Sequence, residues 1–261
     1  ELLKIENLSY SYHTLSGETT ALTDVNFSVS EGEFVAIVGP SGCGKSTMLS
    51  LIAGLITPSS GNIYINGKEA KTSGKNIGYM LQKDHLLEWR SILKNLTLGL
   101  EIQHKLTEES YVIINKMLDT YGLITFRDSK PSQLSGGMRQ RAALIRTLLM
   151  EPDILLLDEP FSALDYQTRL EVSDDIWSII RKEKKTAVLI THDIAEAVSM
   201  ADRIIILTDR PATVKSIIDV NLTVEGERTP FAARSAPQFK DYFNLIWKEL
   251  NQREDITKLR A

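Results

Sequence analysis

The feature that most constrains this chain is a glycine-rich loop at residues 39–46, Gly-Pro-Ser-Gly-Cys-Gly-Lys-Ser, which stands between segments of different periodicity. The apolar run at 34–38 predicts a buried strand before the loop, and residues 46–53 predict a helix after it. This order is typical of the phosphate-binding loop of an α/β nucleotide-binding domain. We therefore expect backbone N–H groups to surround a β-phosphate, Lys45 to reach the β- and γ-phosphates, and the Ser46 hydroxyl to bind Mg²⁺.

A second glycine-rich loop, Leu-Ser-Gly-Gly-Met at residues 134–138, also stands where a helix begins. A helix N-terminus offers unpaired N–H groups and a partial positive charge, which favour an anion. Gly136 and Gly137 allow the backbone to approach a phosphate closely, and the Ser135 hydroxyl can donate a hydrogen bond. The first loop already holds the nucleotide of its own chain, so the second predicts a site shared between two copies. An ordinary helix cap is the alternative.

Two adjacent carboxylates, Asp158 and Glu159, end the apolar run at 154–157. Strand ends in a parallel sheet face the ligand crevice. Successive strand residues point to opposite faces, so the two acids are expected to have different tasks. Asp158 fits an aspartate that orients Mg²⁺, usually through its water shell, and Glu159 stands where a general base or water-positioning group is needed. The alternative is a solvated strand end.

The N-terminal part of the chain predicts an antiparallel region. Residues 2–12 and 21–29 alternate apolar and polar side chains, which is typical of strands, and residues 13–20 predict the turn between them. Further short strands are expected at 62–65 and 77–81.

The rest of the chain changes character twice. From residue 84 to about 150 the apolar residues recur with helical spacing, and one helix is expected to bury a face that includes Val112, Ile113, Met117 and Leu118. Strands and helices then alternate, which predicts a parallel sheet. The expected strands are 154–157, 187–190 and 204–207, and the expected helices are 167–182 and 194–199.

Composition narrows the class of protein. The 261 residues, 43% of them hydrophobic, suffice for one large domain or two small ones. The 30 basic and 34 acidic residues leave a net charge of -4, so no nucleic-acid partner is expected. The single cysteine, Cys43, excludes an intrachain disulfide and fits a reducing compartment. No run approaches the ~18 apolar residues that span a bilayer, so any membrane role is expected to come through a partner.

These motifs resemble those of the ABC ATPases, and the resemblance covers residues 2–222. It implies a P-loop NTPase core with a parallel sheet, an N-terminal antiparallel β subdomain and an α-helical subdomain inserted at about 84–150. The ABC ATPase domain is then expected at 1–225. Residues 226–261 are expected to form a C-terminal linker and an amphipathic helix, with 224–237 as linker or ordered loop. The helix is expected to pack on its own domain, with dimer contact or regulation as the alternative.

The resemblance also implies roles position by position. Tyr12 falls where the family stacks an aromatic side chain on adenine, and Tyr10 on the same strand face is the alternative. Gln82 resembles the Q-loop glutamine, which contacts Mg²⁺ and the attacking water. Residues 162–165 resemble the D-loop, which communicates across the dimer, and His192 resembles the switch histidine at the γ-phosphate.

The residues expected at the site form three overlapping groups. Catalytic roles are implied for Glu159, His192, Gln82 and Lys45. Contacts with Mg²⁺ are implied for Ser46, Gln82 and Asp158. Contacts with ATP are implied for Tyr12, Gly39, Pro40, Ser41, Gly42, Cys43, Gly44, Lys45, Ser46, Thr47, Ser135, Gly136, Gly137 and Asp165.

Cys43 has two interpretations. It is either a small filler at a variable loop position or a thiol whose pKa is lowered by the nearby helix N-terminus. The second interpretation predicts that alkylation inhibits ATP hydrolysis and that MgATP protects the enzyme.

The resemblance implies ATP hydrolysis by two copies, or by this chain and a homologous ATPase subunit, closed head to tail on two MgATP. The implied partners are transmembrane permease subunits and, indirectly, a solute-binding protein, with the ATPase at the cytoplasmic face of the plasma membrane. Residues 86–95 correspond to part of the groove that receives a permease helix, where Trp89 and Arg90 are candidate anchors. An internally packed amphipathic helix is the alternative.

Within the family, residues 86–90, 138–141 and 158–165 look most like the bacterial nitrate/sulfonate/taurine importer subfamily. Glu88 departs from that pattern, because the subfamily commonly has proline there. An exporter or lipoprotein-extraction ATPase of similar size is the alternative. A non-transport ABC protein is less favoured because the chain has neither a second nucleotide domain nor a long coiled-coil insertion.

Overall fold

Two β-sheets and the helices packed around them make up the part of the chain that the computed structural model describes, residues 1–14, 17–70 and 77–251. The strands are β1 (Leu3–Thr14), β2 (Gly17–Val29), β3 (Phe34–Val38), β4 (Ser60–Ile65), β5 (Lys68–Glu69), β6 (Ile77–Met80), β7 (Ile154–Asp158), β8 (Thr186–Ile190), β9 (Arg203–Leu207) and β10 (Val214–Asp219). The α-helices are α1 (Lys45–Ile52), α2 (Ile92–Ile102), α3 (Glu108–Thr120), α4 (Gly136–Leu148), α5 (Tyr166–Lys182), α6 (Ile194–Met200), α7 (Pro230–Arg234) and α8 (Phe239–Asn251). Two short 3-10 helices lie at Ile124–Phe126 and Pro131–Gln133.

The larger sheet has the strand order β10-β9-β3-β8-β7-β6. Its pairs from β9 to β6 are parallel, and β10 adds to the edge as an antiparallel strand. The smaller sheet has the order β2-β1-β4-β5 and is antiparallel. The predicted combination of a parallel α/β core with an N-terminal antiparallel region is therefore confirmed.

Three clusters of buried side chains hold these layers together. One joins the antiparallel sheet to α1 and one face of the parallel sheet. A second packs α4, α5, α6 and α8 against the opposite face. The third lies among α2, α3 and α4, in the helical block. No helix of the described residues has the length and apolar character needed to cross a bilayer.

The hairpin at the N-terminus is longer than predicted. The segment at 13–20 was expected to be a turn, but β1 continues to Thr14 and β2 begins at Gly17, with His13 opposite Glu18 and Tyr12 opposite Thr19. Residues 15 and 16 of the predicted turn lie outside the described residues. Threonine and tyrosine fit a pleated surface well, and cross-strand partners stabilise a segment whose polarity alone suggests a loop.

The buried face of α3 also differs from the prediction. Ile114 and Leu118 are buried, whereas Val112 and Ile113 are exposed. Helix α3 presents only a narrow stripe to its neighbours, so one apolar pair lies outside the core. A run of adjacent apolar residues does not reveal which of them faces inward.

Two elements of the C-terminal half escaped prediction. The edge strand β10 lacks a simple alternation of buried and exposed residues. The segment 224–237 was expected to be a linker or loop, but it contains the short helix α7, which Thr229 caps by accepting from the backbone N–H of Ala232 at 3.2 Å. Threonine followed by Pro230 is a helix-start signal that the polarity of the segment obscured. Helix α8 then packs on the domain through the fully buried Ile246.

Candidate nucleotide site

The phosphate loop follows β3 directly and leads into α1. Gly44 is the N-cap of α1 and has a φ of 127°, which few other residues adopt. A Cβ at this position would lie 2.9 Å from Cδ2 of Leu22 and 3.2 Å from the carbonyl oxygen of Ala21, so the fold has no room for a side chain. Without a capping side chain, the first N–H groups of α1 remain available to an anion.

Lys45 folds back over this loop. Its Nζ donates to the carbonyl oxygens of Gly39 and Pro40, each at 2.9 Å, and the residue is buried. An ammonium group has three donors, so two of them are occupied by the loop itself. The loop is thus pre-formed around its own cation, next to exposed Ser41 and Gly42.

The predicted magnesium ligands lie at the end of β7 and the start of α1. The Ser46 hydroxyl donates to Oδ1 of Asp158 at 3.2 Å, and the Tyr79 hydroxyl donates to Oδ2 at 3.4 Å. Burial raises the pKa of Asp158, the Ser46 hydrogen bond opposes that shift, and the charge of Glu159 adds to it. Burial and the adjacent Asp158 raise the pKa of Tyr79 to about 12.

These oxygen donors suit Mg²⁺. The described residues contain no group of three or more His, Cys, Asp or Glu side chains that could hold a metal by themselves. A hydroxyl and a single carboxylate nevertheless fit an ion that keeps several waters and takes its remaining oxygens from substrate phosphates. The third predicted ligand, Gln82, donates through Nε2 to Oγ of Ser162 at 3.1 Å, and its Oε1 is the atom that could bind the ion.

Glu159 and His192 are brought together from neighbouring strands. Nδ1 of His192 lies 3.1 Å from Oε2 of Glu159. Glu159 has a left-handed backbone with a φ of 45°, which costs roughly 1–2 kcal/mol for a residue with a Cβ. Its N–H donates to the carbonyl oxygen of Ile190 at 2.9 Å, at the end of β8. The carboxylate therefore stands beside the histidine that follows β8, a pairing that sequence separation conceals.

Tyr12 is the better placed of the two candidate aromatics. Its hydroxyl is 2.8 Å from Oγ1 of Thr47 in the first turn of α1, and the residue is 38% exposed. Tyr10 packs edge-on against it, with ring centroids 4.9 Å apart and planes at 89°, and also contacts the buried cluster beneath. Tyr12 thus has free ring surface beside the phosphate loop, as expected for an adenine platform.

The second glycine-rich loop contacts elements other than the phosphate loop, namely α5 and the 162–165 loop. Ser135 caps α4 by accepting from the N–H of Met138 at 3.3 Å. A Cβ on Gly136 would come within 2.9 Å of Leu164, and one on Gly137 within 2.6 Å of Val172. Gly137 therefore allows α4 to pack closely against α5, while Gly136 lies against the flexible side chain of Leu164 in the 162–165 loop. A cleft of about 380 Å³ lies between α4, the 82–86 segment and this loop.

Asp165 has a structural task in the described chain. It is the N-cap of α5, accepting from the N–H of Thr168 at 3.1 Å. The hydrogen bonds from Thr168 hold the pKa of Asp165 below its ordinary value. Any contact with a nucleotide on another copy would be additional to this cap.

The expectation of an acidic Cys43 thiol is wrong. The residue is 1% exposed, and burial raises its pKa above the ordinary value despite the positive charge of Lys45. Position near a helix N-terminus lowers a thiol pKa only where the thiolate is solvated or paired. The small-filler interpretation is the one that the geometry supports, and burial opposes attack by an alkylating reagent.

Of the two candidate anchors in the strip at 86–95, one is exposed and the other is paired within the chain. Trp89 is 73% exposed, whereas Arg90 donates through Nη2 to both carboxylate oxygens of Glu101, at 2.6 and 2.8 Å. Arg90 is therefore tied within the chain. Glu88, where a proline was expected, lies 2.8 Å from Arg139 in the first turn of α4.

Sequence reasoning missed Tyr79 and Ser162 at the site. Tyr79 and the buried Met80 are adjacent in β6, so strand periodicity predicts that their side chains lie on opposite faces of the sheet. Because β6 pairs with β7, the face of Tyr79 could have been considered together with Asp158 at the end of β7. Ser162 bonds both Gln82 and the carbonyl oxygen of Glu159, the latter at 2.9 Å. Only the packing of distant segments reveals that second link.

A phosphate loop on a parallel sheet, a carboxylate pair at an adjacent strand end and a second glycine-rich helix start define an ATP-binding cassette. The family described as "ABC transporter" matches residues 22–162, and the chain belongs to that family. It is an ABC ATP-binding subunit that binds and hydrolyses ATP.

Three curated relatives align with nearly the full chain. The chain is 46% identical over 252 residues to the "Uncharacterized ABC transporter ATP-binding protein YtlC" of Bacillus subtilis, with 97% of this chain and 96% of the relative covered. It is 38% identical over 256 residues to the nitrate import ATP-binding protein NrtD of Synechocystis sp., covering 97% and 96%. It is 40% identical over 242 residues to the aliphatic sulfonates import ATP-binding protein SsuB of Bacillus licheniformis, covering 93% and 91%.

A solved structure gives the same result for the fold. The ATP-binding cassette MJ0796, in a dimeric post-hydrolysis state bound to ADP and Pi, matches with a TM-score of 0.71 and 32% identity. The match covers 84% of this chain and 99% of that one.

Proposed function

We propose that this chain energises a bacterial ABC importer of the nitrate/sulfonate/taurine type, by ATP-driven head-to-tail dimerisation coupled to separate membrane subunits. The observation that carries the proposal is that two glycine-rich helix starts, each suited to a phosphate, pack on different elements of one chain. The loop at 134–138 packs on α5 and the 162–165 loop, while Lys45, Ser46 and Asp158 cluster elsewhere. In the proposed dimer, a nucleotide bound by the 39–46 loop of one chain is also contacted by the 134–138 loop of the second copy.

In the proposed site each chain binds the triphosphate through its own phosphate loop. Tyr12 stacks on the base, the N–H groups of the loop and of Thr47 bind the phosphates, and Lys45 exchanges its carbonyl contacts for phosphate oxygens. Ser46, Asp158 and Gln82 would hold Mg²⁺, which neutralises charge on the phosphate oxygens during transfer. The raised pKa of Asp158 favours this arrangement, because a bound cation compensates the cost of a buried carboxylate.

Hydrolysis in this scheme depends on Glu159 and His192. The Glu159 carboxylate orients the attacking water and accepts its proton, while His192, 3.1 Å away, contacts the γ-phosphate. Ser135 and Gly137 of the second copy cap the same phosphate and Asp165 approaches it, so the site is complete only in the closed dimer. Phosphoryl transfer depends on positioning and charge stabilisation, so a half-site is expected to be slow.

The proposed partners are a second copy or a homologous subunit, permease subunits and, through them, a solute-binding protein. The exposed Trp89 beside the occupied Arg90 supports a permease contact on the 86–95 strip, because aromatic anchors dominate such interfaces. The proposed location is the cytoplasmic face of the plasma membrane. Import is favoured over export by the two relatives whose names specify nitrate or sulfonate import and which match over nearly their full length.

The variant Glu159→Gln tests the dimer mechanism. Glutamine keeps the shape of the side chain but cannot accept a proton, so we expect hydrolysis to fall on the order of 100-fold or more while MgATP still binds. Light scattering should then find a dimer with MgATP and a monomer without it. Lys45→Ala in the same background is the control that should stay monomeric. A monomer of the Glu159→Gln variant at saturating MgATP would contradict the proposal.

Purification of the same variant from native membranes with MgATP tests the direction of transport. An importer should recover a multi-span permease together with a solute-binding protein, and ligand screening of that protein would identify the solute. Recovery of an export-type membrane protein would contradict import while leaving the ATPase assignment intact.

A further inference from the structure

Arg169, in the first turn of α5, contacts segments on both sides of the reacting pair. Its Nη2 donates to the carbonyl oxygen of Leu164 at 3.1 Å, in the 162–165 loop. Its Nη1 lies 3.5 Å from Oδ2 of Asp193, and its Nε lies 3.9 Å from Oε1 of Glu196. One planar guanidinium therefore spans the loop after Glu159 and the segment after β8.

The contacts after β8 enclose His192. Thr191, on one side of it, donates through Oγ1 to Oε2 of the buried Glu196 at 2.6 Å and accepts from the N–H of Asp193 at 3.0 Å. Asp193, on the other side, caps α6 by accepting from the N–H groups of Ala195 and Glu196. Both neighbours of His192 are thus held by groups that face Arg169.

The contacts on the other side lead to Glu159. Ser162 donates to the carbonyl oxygen of Glu159 at 2.9 Å, and Leu164 packs against Gly136. A displacement of the 162–165 loop can therefore reach Glu159 through Ser162 and His192 through Arg169. The two sets of contacts therefore act on the two ends of the distance between the His192 imidazole and the Glu159 carboxylate.

The network is incompletely closed in this structure. Nε of Arg169 lies 3.9 Å from Oε1 of Glu196, an ion pair that is too long for a hydrogen bond. A movement of about 1 Å would give that separation the length of a hydrogen bond. A state in which the contact shortens would add a charge-assisted hydrogen bond between Arg169 and Glu196.

We infer that Arg169 is a positioning residue, which sets His192 against Glu159 in response to the 162–165 loop. The inference rests on the roles proposed above for Glu159 and His192. In the proposed dimer the 162–165 loop approaches the second copy, so the guanidinium would make the alignment of His192 depend on closure.

The test is Arg169→Lys, which keeps the positive charge but replaces the planar guanidinium and its several N–H donors with one ammonium group. A single ammonium cannot reach Leu164, Asp193 and Glu196 together. We expect kcat for ATP to fall about tenfold with KM changed less than about twofold, because the phosphate loop is untouched. The matched control is Arg181→Lys on the same helix, whose contacts are with Asp202 at 2.6 Å and the carbonyl oxygen of Gly32 at 3.1 Å. The control should keep its kcat.

A double-mutant cycle with Glu196→Gln separates positioning from general destabilisation. Glutamine retains an acceptor for Thr191 but removes the charge facing Arg169, so it should lower kcat as well. The double variant should be no slower than the slower single variant, since both act through one network. Additive losses, or a lower melting temperature with unchanged kcat in Arg169→Lys, would overturn the inference.

A final measurement distinguishes this inference from the dimer proposal. Arg169→Lys combined with Glu159→Gln should still form a dimer with MgATP, because closure does not require the aligned histidine. Dimerisation of Glu159→Gln with a normal kcat in Arg169→Lys would overturn the role of Arg169 alone. Failure of Glu159→Gln to dimerise would overturn the proposed closure and, with it, the coupling assigned to Arg169.

Discussion

At the scale of single residues, the burial of the Asp158 carboxylate lowers the stability of the folded chain, while it places an oxygen where Mg²⁺ is proposed to bind. Its carboxylate is partly buried at the end of β7 with two hydroxyl donors, Ser46 and Tyr79, and burial raises its pKa. The neighbouring Glu159 carboxylate adds to that shift. An acid whose folded pKa exceeds its unfolded pKa loses stability as pH rises through that window. At neutral pH the nucleotide-free protein therefore carries the cost of an ionised Asp158.

We predict that Asp158→Asn raises the melting temperature of the nucleotide-free protein at pH 7. The amide removes the buried charge while keeping the volume, and the gain is expected to be about 1 kcal/mol. The difference from the unaltered chain should shrink as pH falls through the folded pKa of Asp158 toward the ordinary aspartate value, because both forms are then neutral. Calorimetry at several pH values measures this. A lower melting temperature at pH 7 would contradict it, and the same variant should lose Mg²⁺-dependent ATP binding.

At the scale of elements, the start of α4 serves two purposes. Ser135 caps the helix, and Gly137 lets it pack against α5, where an added Cβ would meet Val172 at 2.6 Å. The same glycine is proposed to approach the phosphate bound by a second copy. Packing and phosphate binding thus require the same small residue, and their contributions can be separated.

We predict that Gly137→Ala destabilises the chain by about 1–3 kcal/mol through overpacking. Denaturant unfolding measures this loss. The second substitution Val172→Ala removes the atom in the way, so the double variant should recover part of the stability. Hydrolysis should stay low in the double variant if the backbone of Gly137 also approaches phosphate. Recovery of full hydrolysis together with stability would show that the glycine serves packing alone.

The sequence predicted those elements whose signals are local. The phosphate loop, the strand ending in Asp158 and the helix start at Ser135 each lie in a short run whose residue types fix the backbone. The predictions of a turn at 13–20 and of the buried face of α3 were wrong, because each feature depends on a partner element that supplies cross-strand pairing or burial. Local patterns cannot report such partners.

At the site, too, features set by local sequence were predicted and features set by distant residues were not. Catalytic roles for Glu159 and His192 were implied by the resemblance, but the 3.1 Å approach of their side chains was not predicted. Glu159 has a left-handed backbone there that its residue type does not indicate. Of the two interpretations of Cys43, the one with a lowered thiol pKa is wrong, because burial outweighs the nearby Lys45 charge. Arg90 was named as a candidate anchor for a permease helix, and its pairing with Glu101 was not predicted. Each miss concerns solvation or a distant partner.

At the scale of the whole molecule, the proposed site is divided between two copies. Such division predicts complementation between inactive variants. Lys45→Ala disables the phosphate loop, and Ser135→Arg disables the second loop, so each alone should hydrolyse little ATP. A mixed dimer contains one site in which an intact Lys45 faces an intact Ser135.

We therefore predict that mixing the two inactive variants restores hydrolysis above that of either one. Titration of one variant against a fixed amount of the other, with phosphate release as the readout, tests this. Each variant mixed with itself is the control. Unchanged activity in the mixture, with both variants folded by calorimetry, would contradict two independent shared sites.

The contacts of Lys45 with Gly39 and Pro40 have a consequence for ligand discrimination. An incoming molecule must offer the ammonium more than the two carbonyl oxygens already do. The β- and γ-phosphates of a triphosphate can outcompete these neutral acceptors, since charge-assisted hydrogen bonds are roughly twice as strong as neutral ones. A nucleoside has no anion for that exchange. The two carbonyl oxygens of the loop therefore compete with any ligand for Lys45, which disfavours adenine compounds that carry no phosphate.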